Sequence, residues 1–243
     1  MFLRSVRLLR ERAGDPGVYP WSLPVVRALD ELAFPTPVTI LVGENASGKS
    51  TLLEAIAVAL GLNPEGGTEN TTHSTRASHS ALHEALRPVR GITRPRTSFF
   101  LRAESVFTLA TAIEALDAEG GFGPPVIDSY GGRSLHEQSH GESFLAIAVN
   151  RLGPDGLYFL DEPEAALSPQ GQLALIARIG DLVATGSQLI LATHSPMLLA
   201  IPGATVYELD EDGALHVTPY DQTGHFRMTR AFLEAPEAFL RHL

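Results

Sequence analysis

The sequence predicts an α/β protein built on a mostly parallel sheet flanked by helices. Three observations carry that prediction. Val38–Val42 is a continuous apolar, β-branched run of the kind a strand buried on both faces needs. It leads through a glycine-containing loop into TLLEAIAVAL (51–60), which is rich in Ala and Leu, free of Gly and Pro, and therefore helical. Two further apolar runs, GLYFL (156–160) and QLILA (188–192), end in Asp161-Glu162-Pro163 and Thr193-His194-Ser195-Pro196. The carboxyl ends of parallel strands are where such sheets meet their ligands.

The remaining elements follow in order. The N-terminal MFLRSVRLLRER alternates like a strand, and Tyr19 and Trp21 lie among Pro20 and Pro24, which favour a loop. Residues 61–80, rich in Gly, Ser, Thr and Asn, read as a long loop. TSFFLRAES (97–105) is strand-like, and Ala110–Glu119 is a helix closed by Gly120-Gly121. Ser139-His140-Gly141-Glu142-Ser143 opens the helical run FLAIAVNRL. Thr205–Asp210 and Leu215–Tyr220 form a hairpin around Asp212-Gly213, and 227–243 is helical with a break at Pro236.

Composition bounds the function. With 243 residues, 44% apolar and 19% charged, the chain has ample material for a core and is not broadly disordered. Eighteen basic against 28 acidic residues give a charge of −10, which opposes general affinity for nucleic acid but leaves room for a local basic patch. No apolar run reaches eighteen residues, and MFLRSVRLLRER lacks the apolar block of a secretory signal, so a cytoplasmic protein is expected. The absence of cysteine excludes disulfides, thiolate metal sites and cysteine nucleophiles. Of the 18 basic residues 17 are Arg, leaving Lys49 as the one lysine.

Lys49 sits in the loop Gly43-Glu44-Asn45-Ala46-Ser47-Gly48-Lys49-Ser50, a full match to G-x-x-x-x-G-K-[ST], with Thr51 opening the helix behind it. Glycines let successive N–H groups turn inward onto phosphate oxygens, assisted by the helix N-terminus. A lysine ammonium is a compact charge that reaches the β- and γ-phosphates, and Ser50 can place its hydroxyl on Mg²⁺. Asp161, at the end of its strand, is the candidate to hold the metal directly or through water. Glu162 is the candidate to polarise a water facing the γ-phosphate.

The chain resembles the ATP-binding-cassette (ABC) ATPases. Its phosphate loop (43–51), signature segment (139–143), Walker B strand with its glutamate (157–162), D-loop (165–168) and switch histidine (194) stand in that family's order. SHGES and DEPEAALSP, with FFLRAES (99–105) and YGGRSLHEQSHGESF (130–144), resemble the RecF/SMC-like branch and small stand-alone ATPases. Transporter subunits typically read LSGGQ and DEPTSALD. The resemblance implies one ATPase domain over 1–243 with a helical lobe at about 66–150, and Mg²⁺-dependent ATP hydrolysis coupled to closure of a homodimer. Ser139, Gly141 and Glu142 would then face a nucleotide held by a second copy, and His194 would contact its γ-phosphate. It also suggests a role in nucleic-acid maintenance or defence, with an effector protein as partner. Two alternatives stay open: a transporter's ATP-binding subunit, and a nucleotide-gated binding module with little turnover.

One departure from the family is visible. Its glutamine after the strand following the phosphate-loop helix is missing, because no Gln occurs between Thr51 and Glu137. Glu104 is the nearest chemical stand-in, unless it merely pairs with Arg102. Arg87, Arg90, Arg94, Arg96 and Arg102 lie in an acid-free stretch able to meet phosphates or simply water. Tyr19 and Trp21 precede the phosphate loop, where relatives place a ring on adenine. His79/His83 and His136/His140 have helical spacing but no evident third ligand.

Overall fold

The computed structural model describes residues 1–64, 67, 80–120 and 123–241. In chain order they form β1 (Leu3–Leu8), α1 (Pro24–Ala28), β2 (Glu31–Ala33), β3 (Val38–Val42), α2 (Lys49–Ala59), β4 (Leu86–Arg90) and β5 (Thr97–Arg102). There follow α3 (Val106–Glu119), α4 (His140–Asn150), β6 (Gly156–Asp161), α5 (Pro169–Ala184), β7 (Gln188–Ala192) and α6 (Pro196–Leu199). The chain continues through β8 (Thr205–Leu209), β9 (Leu215–Val217), α7 (Gly224–Glu234) and α8 (Pro236–Leu240).

Six strands make the central sheet in the order β5-β6-β7-β3-β8-β9, parallel except for the terminal hairpin strand β9. Strands β3, β6 and β7 are buried at every residue, which explains their unbroken apolar sequence. Their period-two alternation divides the core between two faces. Phe99, Leu101, Tyr158, Leu160, Leu189 and Leu191 meet α3 to α6 on one side. Phe100, Phe159, Ile190 and Leu41 meet α2 and a second sheet on the other.

That second sheet is antiparallel, β2-β1-β4. A buried glutamine fastens it to the first. The Gln188 side-chain oxygen accepts from the N–H groups of Phe2 (2.8 Å) and Leu3 (2.9 Å), and its amide donates to the Leu3 carbonyl (2.8 Å). One side chain thereby satisfies three backbone groups that burial would otherwise strand.

The lobe expected over 66–150 differs in extent. Residues 86–90 and 97–102 are strands, the first paired with β1 and the second with β6, from Thr97 opposite Gly156 to Arg102 opposite Asp161. The helical part runs from 103 to 150, and the expected loop at 68–79, with His79, lies outside the described residues. The hairpin return is shorter than expected, ending at Val217. Among the described residues, no helix is long and apolar enough to cross a membrane.

Candidate functional site

Register assembles the site. Leu41 of β3 lies opposite Ala192 of β7, and Ala192 lies opposite Asp161 of β6. The phosphate loop, Asp161-Glu162 and Thr193-His194 therefore leave one edge of the sheet side by side. Gly48, immediately before α2, has φ +93°, and a Cβ there would come within 2.7 Å of Val25. Glycine is required at that position on both counts.

Lys49 is 3% exposed and folds back into the loop, donating to the carbonyls of Gly43 (2.8 Å) and Glu44 (2.9 Å). Burial lowers its pKa, while Glu162, Asp161, Glu164 and Glu44 pull it back up. The one lysine is thus the counter-charge to four carboxylates.

Asp161 is 4% exposed. Burial pushes its carboxyl up to about 6, against the downward pull of Arg102 and the Ser50 hydroxyl. Its Oδ2 stands 3.4 Å from Arg102 Nε, and Oδ1 is buried without a partner. A buried carboxylate oxygen left open beside a serine hydroxyl is the donor set a hard, oxygen-seeking cation takes, so Ser50 and Asp161 fit Mg²⁺. Glu162 adopts φ +47°, ψ +49°, a left-handed conformation uncommon for a residue with a Cβ and concentrated at functional sites.

His194 Nε2 lies 3.4 Å from Glu162 Oε1. Its own N–H donates to Glu164 Oε1 at 2.5 Å, and its Nδ1 is 3.3 Å from Nε2 of His225 on α7. Burial and then Lys49 hold this imidazole below its ordinary pKa. It is therefore neutral near pH 7. Ser195, the next residue, donates to Gln172 Oε1 at 2.5 Å, and the Gln172 amide donates to the Leu167 carbonyl at 3.3 Å.

Two family models match the chain, an AAA domain over residues 26–95 and "AAA domain, putative AbiEii toxin, Type IV TA system" over 126–200. The cytochrome c biogenesis ATP-binding export protein CcmA of Rhodopseudomonas palustris is 32% identical over 168 residues, covering 66% of this chain and 79% of CcmA. The chain is an ABC-type ATPase. The "Putative ABC transporter ATP-binding protein" of Streptomyces avermitilis is 29% identical over 81% of this ABC ATPase, which spans only 38% of that relative's length. Among solved structures, "An inward-facing conformation of a putative metal-chelate type ABC transporter" aligns over 94% of this chain and 88% of its own at TM-score 0.50 and 16% identity. That likeness concerns the fold.

The family's motifs fall into two places in this ABC ATPase. Gly43–Ser50, Asp161, Glu162 and His194 converge at the sheet edge. Ser139, Gly141 and Glu142 open α4, beside a cavity of about 460 Å³ that also takes in Ala166, Leu167 and Ser168 but no phosphate-loop residue. A Cβ on Gly141 would come within 2.9 Å of the Ala166 carbonyl, which ties the signature to the D-loop. Ser139 and Glu142 form a capping box. Ser139 Oγ donates to Glu142 Oε2 (2.7 Å), as does the Ser139 N–H (2.9 Å), while Glu142 N–H returns to Ser139 Oγ (3.3 Å).

Two site residues escape the sequence reading, Arg102 and His225. Glu104, the stand-in for the missing glutamine, has a 73% exposed side chain bonded to Arg102 at 2.7 Å. It is Arg102, 16% exposed, that touches Asp161 while also binding Glu54 of α2 at 2.7 Å. Tyr19 is exposed, with its hydroxyl 3.4 Å from Thr51 Oγ1. His136 packs edge-on against Phe107 and bonds Thr111. The described residues contain no grouping of three or more metal-ligating side chains.

Proposed function

We propose that the chain binds ATP at Gly43–Thr51 with Mg²⁺ held by Ser50 and Asp161, and hydrolyses it with Glu162 and His194. The observation that carries this reading is the convergence of Lys49, Asp161, Glu162 and His194 at the ends of three adjacent parallel strands. Lys49 already sits among backbone carbonyls of the loop and exchanges them for phosphate oxygens. The loop N–H groups and the start of α2 orient the triphosphate. Mg²⁺ held by Ser50 and Asp161 would neutralise charge on the triphosphate. Glu162 accepts the proton of the attacking water, and His194, 3.4 Å from Glu162, orients that water.

Ser139 and Gly141 belong to the reaction in a dimer, where each faces the nucleotide of the other chain across a two-fold axis. Their separation from the phosphate loop within one chain supports that arrangement. Glu162→Gln is the test. It removes the base, which commonly costs a hundred- to ten-thousand-fold, roughly, in rate. The variant should accumulate as an ATP-dependent dimer in light scattering and remain monomeric with ADP. A variant that binds ATP and stays monomeric at high concentration rejects the two-chain site.

The names of the relatives favour a second reading, the ATP-binding subunit of a membrane transporter. Co-purification with an integral membrane protein separates it from a role in nucleic-acid maintenance or defence. Steady-state turnover with Mg-ATP separates both from a nucleotide-gated module.

A further inference from the structure

The structure divides the five arginines of the acid-free stretch. Arg102 is spent at Asp161 and Glu54, and Arg87 faces outward from β4. Arg90, Arg94 and Arg96 instead line one cleft of about 750 Å³, and a fourth arginine joins them from a distant part of the sequence, Arg151. Thr97 and Ser98 complete its polar wall. Among the described residues no acidic side chain lines it, and none of the four arginines has a carboxylate within 4.0 Å. In a chain with ten more acidic than basic residues, four cations at one opening repel each other, and among the described residues no carboxylate pairs with any of them. Arg151 is also oriented. Its guanidinium carbon lies 5.9 Å from the ring centres of both Phe99 and Tyr130, and its Nε is buried with no acceptor.

The cleft is not the nucleotide site. Thr97, Ser98 and Leu157 begin β5 and β6, whereas Arg102 and Asp161 end them, about 15 Å away along the strands. We propose that it is a second anion site, one that binds a linear chain of phosphate groups. Guanidinium forks match phosphate oxygens two at a time, and several in one cleft suit successive phosphates better than one isolated ion. Its volume admits a single extended chain and not a duplex. A single-stranded nucleic acid and inorganic polyphosphate both carry that chemistry.

The experiment uses the full chain with two probes in parallel, a fluorescent single-stranded oligonucleotide of about 20 nucleotides and a fluorescently labelled polyphosphate. Anisotropy is followed from 50 to 300 mM salt, beside the variant Arg90→Ala/Arg94→Ala/Arg96→Ala, whose sites are exposed. The variant should keep its circular dichroism and its basal ATP turnover. It should bind at least tenfold more weakly, with a log–log salt slope smaller by about 2, at about 0.7 per phosphate contact. Arg94→Lys/Arg96→Lys, which keeps charge but not the fork, should fall between. Direct oligonucleotide binding identifies a nucleic-acid strand as the source. Binding of labelled polyphosphate alone identifies the polyphosphate. The proposal is overturned if neither chain binds at 50 mM salt, or if the triple variant keeps affinity and slope. Tighter binding to duplex DNA or anionic vesicles overturns it as well. Because turnover is read separately, failure here leaves the ATPase reading untouched.

Discussion

Asp161→Asn should make the metal-free protein more stable while ending its response to Mg-ATP. The carboxyl is 4% exposed, and burial raises its pKa from 3.8 to about 6 even after Arg102 and Ser50 have pulled it down. A group that binds its proton more tightly in the folded state costs stability once the pH is high enough to remove that proton. The cost is absent below about pH 4, grows as pH rises, and is complete above about pH 6. A rise of this size corresponds to about 3 kcal/mol. Asparagine keeps the shape and carries no charge, so at pH 7.5 in EDTA it should gain about 3 kcal/mol, or about 6–12 °C in melting temperature for a chain of this size. At pH 4 the two proteins should melt together, since their other carboxylates are shared. Mg-ATP at a hundred times its dissociation constant should add about 2.7 kcal/mol to the wild type and nothing to the variant. Paired urea titrations at pH 4 and 7.5 measure all of this. An Asn variant equally or less stable at pH 7.5, or shifted by the same amount at both pH values, would refute the burial argument.

Lys49→Ala should retain native circular dichroism and weaken ATP binding by about 30- to 4,000-fold, the cost of truncating one member of a buried charge pair; nucleotide titration reads it, and wild-type affinity rejects the phosphate role. Arg102→Met strips the cation from Glu54 and Asp161, whose side chains are 13% and 5% exposed, and should destabilise the fold by about 3 kcal/mol in chemical denaturation. Glu104→Gln, at a 73% exposed side chain, should change stability by less than about 1 kcal/mol.

What was legible in the sequence follows from how each element is buried. β3, β6 and β7 are covered on both faces, so their apolar runs name them without ambiguity. β4 was hidden. Its residues fell inside the expected helical lobe, and Pro88 and the nearby arginines gave no strand signal, yet β4 lies at the edge of its sheet, where a missing N–H and charged side chains cost little. The motifs at 43–51 and 161–162 are local and therefore readable. Arg102 was not, because its obvious partner is Glu104 two residues on, while Glu54 and Asp161 lie 48 and 59 positions away and meet it only through the register of β5 with β6. Arg151 and His225 are similar cases, joined to their neighbours by the folded chain alone. The signal that could have found the Ser139–Glu142 lock was present as S-x-x-E before an apolar run.

The Gln172 amide has a mechanical consequence. Its nitrogen holds the Leu167 carbonyl and its oxygen holds the Ser195 hydroxyl, one residue from His194. Leu167 in turn borders the hollow beside Ser139 and Gly141. A side chain bonded at both ends works as a tie-rod. A shift of Leu167 would have to carry the Ser195 turn with it or break one of the two hydrogen bonds. The D-loop and the turn carrying the imidazole are thus fastened to one side chain of α5, so the position of either constrains the other.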